Sequence, residues 1–286
     1  MQKRIDYRVY PSLLDAFANL LNADADWEKY WGSAEDPPKT AQEYADECEV
    51  KLINTINRCP KEPIEAADKG TAFNEIVDCL IHDTPCTRPD MEITADTTAG
   101  TVTAKINGFT FPFSLALCRG VAALFPEGTL SQYLCRSSID TAFGCVELYG
   151  YIDEWYGSRI YDLKTTGQYD FGKFDGHAQR YLYPYCVITS GLATTVTEFE
   201  FTVVKLTKPT KRAPYIDGTC YREQYTYRHD DATQWLRLHT EGFIRWLERR
   251  RPFITDRRIF GGENPEGYVG TPITADDLHN HNNPSK

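Results

Sequence analysis

No apolar run in this chain approaches the ~20 residues that would span a bilayer. The opening MQKRIDYRVYPSLLDAF has no apolar core of the kind a secretory signal needs. Both absences lead to the expectation of a cytoplasmic protein without membrane contact. No Cys-x-x-Cys occurs among the nine cysteines, whose count is odd and whose spacing is wide. That argues against a zinc ribbon and implies no disulfide framework; reduced thiols packed as small apolar residues are expected instead. Internal repeats and low-complexity tracts are absent as well. A basic excess is also missing, since the net charge is −10 and no uniform cationic field is offered to nucleic acid. Local basic clusters do exist. One contains Lys205, Lys208, Lys211 and Arg212; the other contains Arg249, Arg250, Arg251, Arg257 and Arg258. Either could meet phosphates, and the second would equally complement the dipole at a helix C-terminus.

What is present is an ordinary globular composition, 41% hydrophobic and 25% charged over 286 residues, enough for one large or two small domains. Residues 11–32 carry a helical stripe of Leu13, Leu14, Phe17, Leu20 and Leu21. A second helix is expected over 41–57, ended by Pro60 and Pro63, and a third over 71–82, where Asn74 and Asp78 share a face. From Met91 the period becomes two. Strands are predicted over 91–95, 101–106 and 109–113, with Asn107-Gly108 as a hairpin turn. A short helix over 114–125, a strand over 132–138, a helix over 176–190 interrupted by Pro184, and a strand over 195–204 follow. Residues 205–218 read as an exposed tip. A long helix capped by Asp230 or Asp231 comes next, and a mobile polar tail occupies 261–286. The mixture predicts an α/β fold: a central mixed sheet with flanking helices, a helical N-terminal region over 1–67 packed on the core, and a core over 68–260.

The densest chemistry lies in residues 150–166, GYIDEWYGSRIYDLKTT. Gly157-Ser158 separates two runs rich in aromatic and β-branched residues, as a two-residue hairpin turn would. In that register Tyr156 opposes Arg159, Glu154 opposes Tyr161 and Asp153 opposes Asp162. A symmetric four-residue loop gives the same pairing; a three-residue bulged loop breaks it. Lys164 then shares the face of the two aspartates, opposite Tyr151. Like charges directly opposed destabilise a sheet. A hard divalent cation would compensate them, with Lys164 beside it for a phosphate oxygen or an attacking water. A solvent-facing polar stripe neutralised by Lys164 is the plain alternative. Glu147 lies six residues from Asp153, roughly 20 Å along a strand, too far to join them.

In order along the chain stand Gly150-x-x-Asp153, Asp162-Leu-Lys164-Thr165 and Gln179-x-x-x-Tyr183. Together with the opening Tyr10-Pro-Ser-Leu-Leu and with Lys69-Gly-Thr-Ala-Phe-Asn74-Glu, this order resembles the PD-(D/E)XK nuclease superfamily in its RecB-like exonuclease branch, over roughly residues 8–205. The resemblance implies a restriction-endonuclease-like core and a metal-dependent DNA nuclease. It further implies an exonuclease of recombination or repair, of phage or mobile-element origin. In that reading Asp153, Asp162 and the Leu163 carbonyl ligate one or two Mg2+ or Mn2+ ions, and Lys164 orients or stabilises the attacking water. Gln179 and Tyr183, one helical turn apart, face the site; on their own they could equally be a core pair. Asn74 stands where the family carries a metal-binding His and is a weaker ligand for Mn2+; Glu75 and Asp78 are nearby alternatives. DNA contacts are expected from Tyr151, Thr165, His177, Arg180, Lys208, Lys211 and Arg212, although Tyr149 and Tyr151 could equally be sheet packing. Duplex ends or single strands are the expected partner, alongside a homo-oligomer or a recombination protein. Some relatives hold an iron–sulfur cluster with three cysteines after the core. Only Cys186 and Cys220 follow the hairpin, so no cluster is expected. The rival expectation is a weak or inactive nuclease-like module that binds DNA ends or a protein.

Overall fold

The computed structural model describes residues 4–280. A short strand, β1 (Tyr7–Val9), leads into helices α1 (Pro11–Leu21), α2 (Ala23–Trp31), α3 (Ala41–Ile56) and α4 (Glu65–His82). The stripe expected over 11–32 is thus two helices, divided at Asn22. Thr40 opens α3 with a reciprocal capping box to Glu43. Next come β2 (Met91–Asp96), β3 (Thr101–Ile106), β4 (Phe109–Ser114) and α5 (Leu115–Ala122). The sheet that β1 joins continues with β5 (Leu130–Thr141), β6 (Gly144–Tyr156) and β7 (Arg159–Thr166), followed by α6 (Gln179–Thr189). It closes with β8 (Glu198–Thr207) and β9 (Asp217–Thr226), before α7 (His229–Arg249) and a last short helix, α8 (Ala275–Asn280). The long helix starts after Arg228, so Asp230 and Asp231 occupy its first turn rather than its cap. There they still favour the dipole.

The main sheet is mixed, with the order β1-β6-β7-β8-β9 and β5 on β6. β7 and β8 are parallel over their whole shared length, from Arg159↔Glu198 to Thr166↔Lys205. One core lies on the face covered by α1, α3, α6 and α7 and contains Leu13, Ile53, Leu148, Leu182 and Phe243. A second core joins α4, α5 and the β2-β3-β4 meander to the sheet, through Phe73, Phe113, Tyr161 and Leu163. The molecule is therefore mixed α/β, a central mixed sheet flanked by helices. The expected division at residue 68 falls inside α4, because that helix starts at Glu65, just past Pro63. No helix among the described residues is long and apolar enough to cross a membrane.

The segment expected as a loose polar tail instead returns to the body. Asn54 bonds both the carbonyl and the amide of Ile273, Leu278 is buried, and His279 meets Asp46. A few anchoring residues suffice to dock it despite its polar composition. Residues 281–286 of that tail lie outside the described residues.

Candidate active site

β6 is paired along one edge by β5, from Thr141↔Gly144 to Leu130↔Trp155. Its other edge is shared. β1 takes residues 146–148 and β7 takes residues 154–156. Between them, residues 149–153 have no strand on that edge, and the sheet opens into a notch. The turn behaves as its sequence predicts: Gly157 has φ +57°, and Glu154↔Tyr161, Trp155↔Ile160 and Tyr156↔Arg159 pair as expected. The ladder then stops. Asp153 and Asp162 are not backbone partners, and Tyr151 does not oppose Lys164, because β7 leaves β6 to follow β8.

Side chains fill the notch. Asp153 Oδ2 accepts from the Leu163 amide at 2.9 Å, replacing the missing ladder bond. Asp162 is almost fully buried, with its Oδ2 2.6 Å from Lys164 Nζ and its Oδ1 accepting from Gln179 Nε2 at 2.9 Å. The Asp162–Lys164 contact lies off hydrogen-bond geometry, which leaves Oδ2 buried without a directed partner. Burial first, and then Asp162, push the Asp153 carboxyl up to about 8. Burial pulls the Lys164 ammonium down, but Asp162 and Asp153 outweigh it and hold the group above its ordinary value. Tyr183 is raised by burial and then by the same two carboxylates. Its ring packs against Gly150, where an added Cβ would stand 2.7 Å from Cε1 and 3.3 Å from Pro11. Glycine is required there by close approach, not by a positive φ.

Gln179 opens α6, whose first turn is held from α1: Asp15 Oδ1 accepts from the Ala178 amide at 2.8 Å. From the opposite side, α4 brings Asn74, whose Nδ2 donates to the Leu163 carbonyl at 3.4 Å, while its Oδ1 is buried and unpartnered. Asp78 lies one turn further along α4. It accepts from Gln132 and is pushed up to about 7 by burial and then Glu75; buried Glu154 is raised well above its ordinary value by burial and then Asp153. Gln132 has a left-handed φ of +50° and interrupts the β5–β6 ladder beside Asp153.

The structure therefore brings Asp153, Asp162, Lys164, Gln179, Tyr183, Leu163 and Asn74 together. Tyr151 is exposed on the rim, in a cavity of about 360 Å³ with Tyr10, Arg58 and Tyr149. Thr165 lies beyond Lys164 and lines a different cavity, together with Lys208. Lys211 and Arg212 are exposed at the β8–β9 tip. Two expected DNA contacts are otherwise engaged. His177 pairs with Asp15 at 3.4 Å and packs edge-on against Phe174 and Phe201. Arg180 pairs with Asp175 and stacks over Tyr181 and Tyr225, since one step along a helix turns it away from the face of Gln179. Asp15, Gln132 and Glu154 were missed by sequence reasoning. Asp15 did leave a signal, as a lone acid beside the apolar stripe of α1; Gln132 left none.

Among the described residues, no three His, Cys, Asp or Glu side chains group as a metal cage. The carboxylates of Asp153 and Asp162 and the backbone of Leu163 meet here with the side-chain amides of Asn74 and Gln179, a donor set of a different composition. Compared with protein-family models and with curated proteins, the chain matches none.

Proposed function

We propose that the chain is a divalent-metal-dependent deoxyribonuclease with a restriction-endonuclease-like core, acting as an exonuclease in DNA recombination or repair. One observation carries the reading: Asp153, Asp162 and Lys164 meet in a notch where a sheet edge opens. Two carboxylates and a lysine around one buried point are poorly explained as a solvated stripe. With burial and Asp162 already pushing Asp153 toward its neutral form, a cation is what would let both carboxylates ionise.

The donors fit a hard cation such as Mg2+. Asp153, Asp162, the Leu163 carbonyl and the Asn74 side-chain oxygen would hold it, all through oxygen. Asn74 Oδ1 is buried without a hydrogen bond, and Asp162 Oδ2 has only the Lys164 ammonium at 2.6 Å. When bound, the cation would supply Lewis-acid polarisation of a phosphoryl oxygen and a more acidic water. The rest falls to the chain. Lys164 offers a fixed positive charge to the oxygens that become more negative during phosphodiester hydrolysis. Gln179 fixes the rotamer of Asp162. Tyr183 packs on Gly150 beside the two carboxylates.

The test is degradation of linear duplex and single-stranded DNA with Mg2+ or Mn2+, with Asp162→Ala and Lys164→Ala alongside. Metal-dependent cleavage, lost in chelator and in Asp162→Ala, is the expected result. Absence of cleavage on every substrate contradicts the proposal, as does cleavage indifferent to both substitutions. The Asn74–Leu163 contact favours a second reading, a weak or inactive module that binds DNA ends or a protein. With the amide in that orientation the carbonyl is already occupied, and the amide must turn over to present its oxygen. This reading predicts DNA binding that is insensitive to chelator and accompanied by no cleavage.

A further inference from the structure

A cavity of about 970 Å³ opens at the carboxyl ends of the parallel strands β7 and β8, against the first turns of α4. Open α/β sheets place their ligands in this crevice. Thr165 and Thr166 form one side of it, so the cavity begins one residue beyond Lys164. Lys69, Lys205 and Lys208 are among the residues that line it. Lys69 is offset by Glu65 at 3.1 Å. Among the described residues, no carboxylate lies in ion-pair range of Lys205 or Lys208. In a chain of net charge −10, two lysines without an ion-pair partner at one cavity mark a local preference for an anion; the Thr166 hydroxyl is already engaged by Gln168 and Lys173. Apart from Thr207, the remaining lining is apolar, chiefly Leu206, Pro209 and Ile216.

Cations alternating with apolar surface suit a ligand that alternates phosphates with sugars and base faces. In a duplex the base faces are stacked out of reach, and only an unpaired strand exposes them. We propose that this cavity holds the nucleotides of a single nucleic-acid strand next to the scissile phosphate. Lys205 and Lys208 neutralise its phosphates, while Leu206 and Pro209 lie against sugar and base. Placing the scissile phosphate rests on the nuclease reading; the affinity for a single strand does not. A duplex end would have to fray to enter.

The test uses the full chain in EDTA, with a labelled single-stranded oligonucleotide and a blunt duplex of equal length, titrated by fluorescence anisotropy across a salt series. The single strand is expected to bind more tightly. Lys205→Ala/Lys208→Ala should weaken it about tenfold and lower the slope of log K against log salt by about 1.4, or ~0.7 per phosphate contact. Unchanged affinity and slope in the double variant overturn the proposal, and so does a duplex bound as tightly as the single strand. The two readings separate in one further comparison. Single-strand cleavage by the double variant at the wild-type rate overturns the lysine cavity and leaves the nuclease intact. Strand binding that depends on the two lysines, in a wild-type chain that cleaves nothing, does the reverse.

Discussion

Asp153 is half-buried beside another carboxylate, and burial and then Asp162 push its carboxyl up to about 8. In the unfolded chain the same group ionises near its ordinary ~3.9. Between those values the unfolded state holds fewer protons, so this group's contribution to stability falls as pH rises from about 4 to about 8, then levels. Asp153→Asn has no such titration. In chelator, its stability advantage over wild type is expected to grow across that window by up to ~1.4 kcal/mol per pH unit, as measured by urea unfolding. A flat difference would mean that Asp153 ionises as freely as it does in water. Mg2+ favours the ionised form, so its stabilisation of the wild-type chain should increase with pH over the same range. Lys164 makes a separate prediction. Lys164→Ala should slow metal-dependent cleavage by about 10²–10³, the usual cost of losing one preorganised donor to developing charge. An undiminished rate would remove Lys164 from the chemistry. Each of these side chains was legible in the sequence from its spacing. The state of Asp153 was not, because burial and neighbours belong to the fold.

At the scale of elements, the site is a consequence of two strands parting. The two-residue turn fixes the pairs nearest Gly157, and its chemistry is local, so the sequence is sufficient to place them. It does not say that β7 will follow β8 for eight residues while β6 keeps to β5. Those pairings are long-range, and period-two patterning carries no information about which neighbour a strand takes. The Asp153 carboxylate then does across the gap what a backbone carbonyl would have done, by accepting from Leu163. Gly150 sits within the opening, under the ring of Tyr183. Gly150→Ala is expected to cost about 1–3 kcal/mol through overpacking and to displace α6 at Gln179. Calorimetry should show a lowered Tm that Gly150→Ala/Tyr183→Leu partly restores; an unchanged Tm would show that the helix has room to give. Asp15 works on the same element from α1. Asp15→Ala should lower kcat more than it raises KM, because it loosens the turn that presents Gln179 without touching substrate. Asp15→Asn, whose side-chain oxygen can still accept from Ala178, should recover most of the rate.

Across the whole molecule, helices from both ends of the chain clamp the face of the sheet that carries α6. α1 and α3 contribute Leu13 and Ile53 to the same core as Phe243 of α7, so the N-terminal helices are part of one body with the sheet. The C-terminal segment belongs to it too. Composition marked that segment as polar, and the expectation of a loose tail followed from composition alone. Its docking depends on Leu278 and on one asparagine that satisfies both backbone groups of Ile273. Truncation after Gly270 should cost about 2–4 kcal/mol, from one buried leucine and the orphaned polar groups of Asn54. Urea unfolding reads this directly, and an unchanged midpoint would show that the segment contributes nothing to the fold. The layered α/β arrangement was legible from the alternation of helical and period-two segments. The division of the core into two faces and the lysine cavity at the strand ends were not, since each is assembled from distant parts of the chain. The most direct test of what the notch is for is an anomalous difference map from crystals of the full chain grown with Mn2+. The account predicts a peak bounded by Asp153, Asp162 and the Leu163 carbonyl, with Lys164 beside it, and no peak there in Asp162→Ala. An empty notch in the wild-type crystal, or manganese bound only elsewhere, would contradict it.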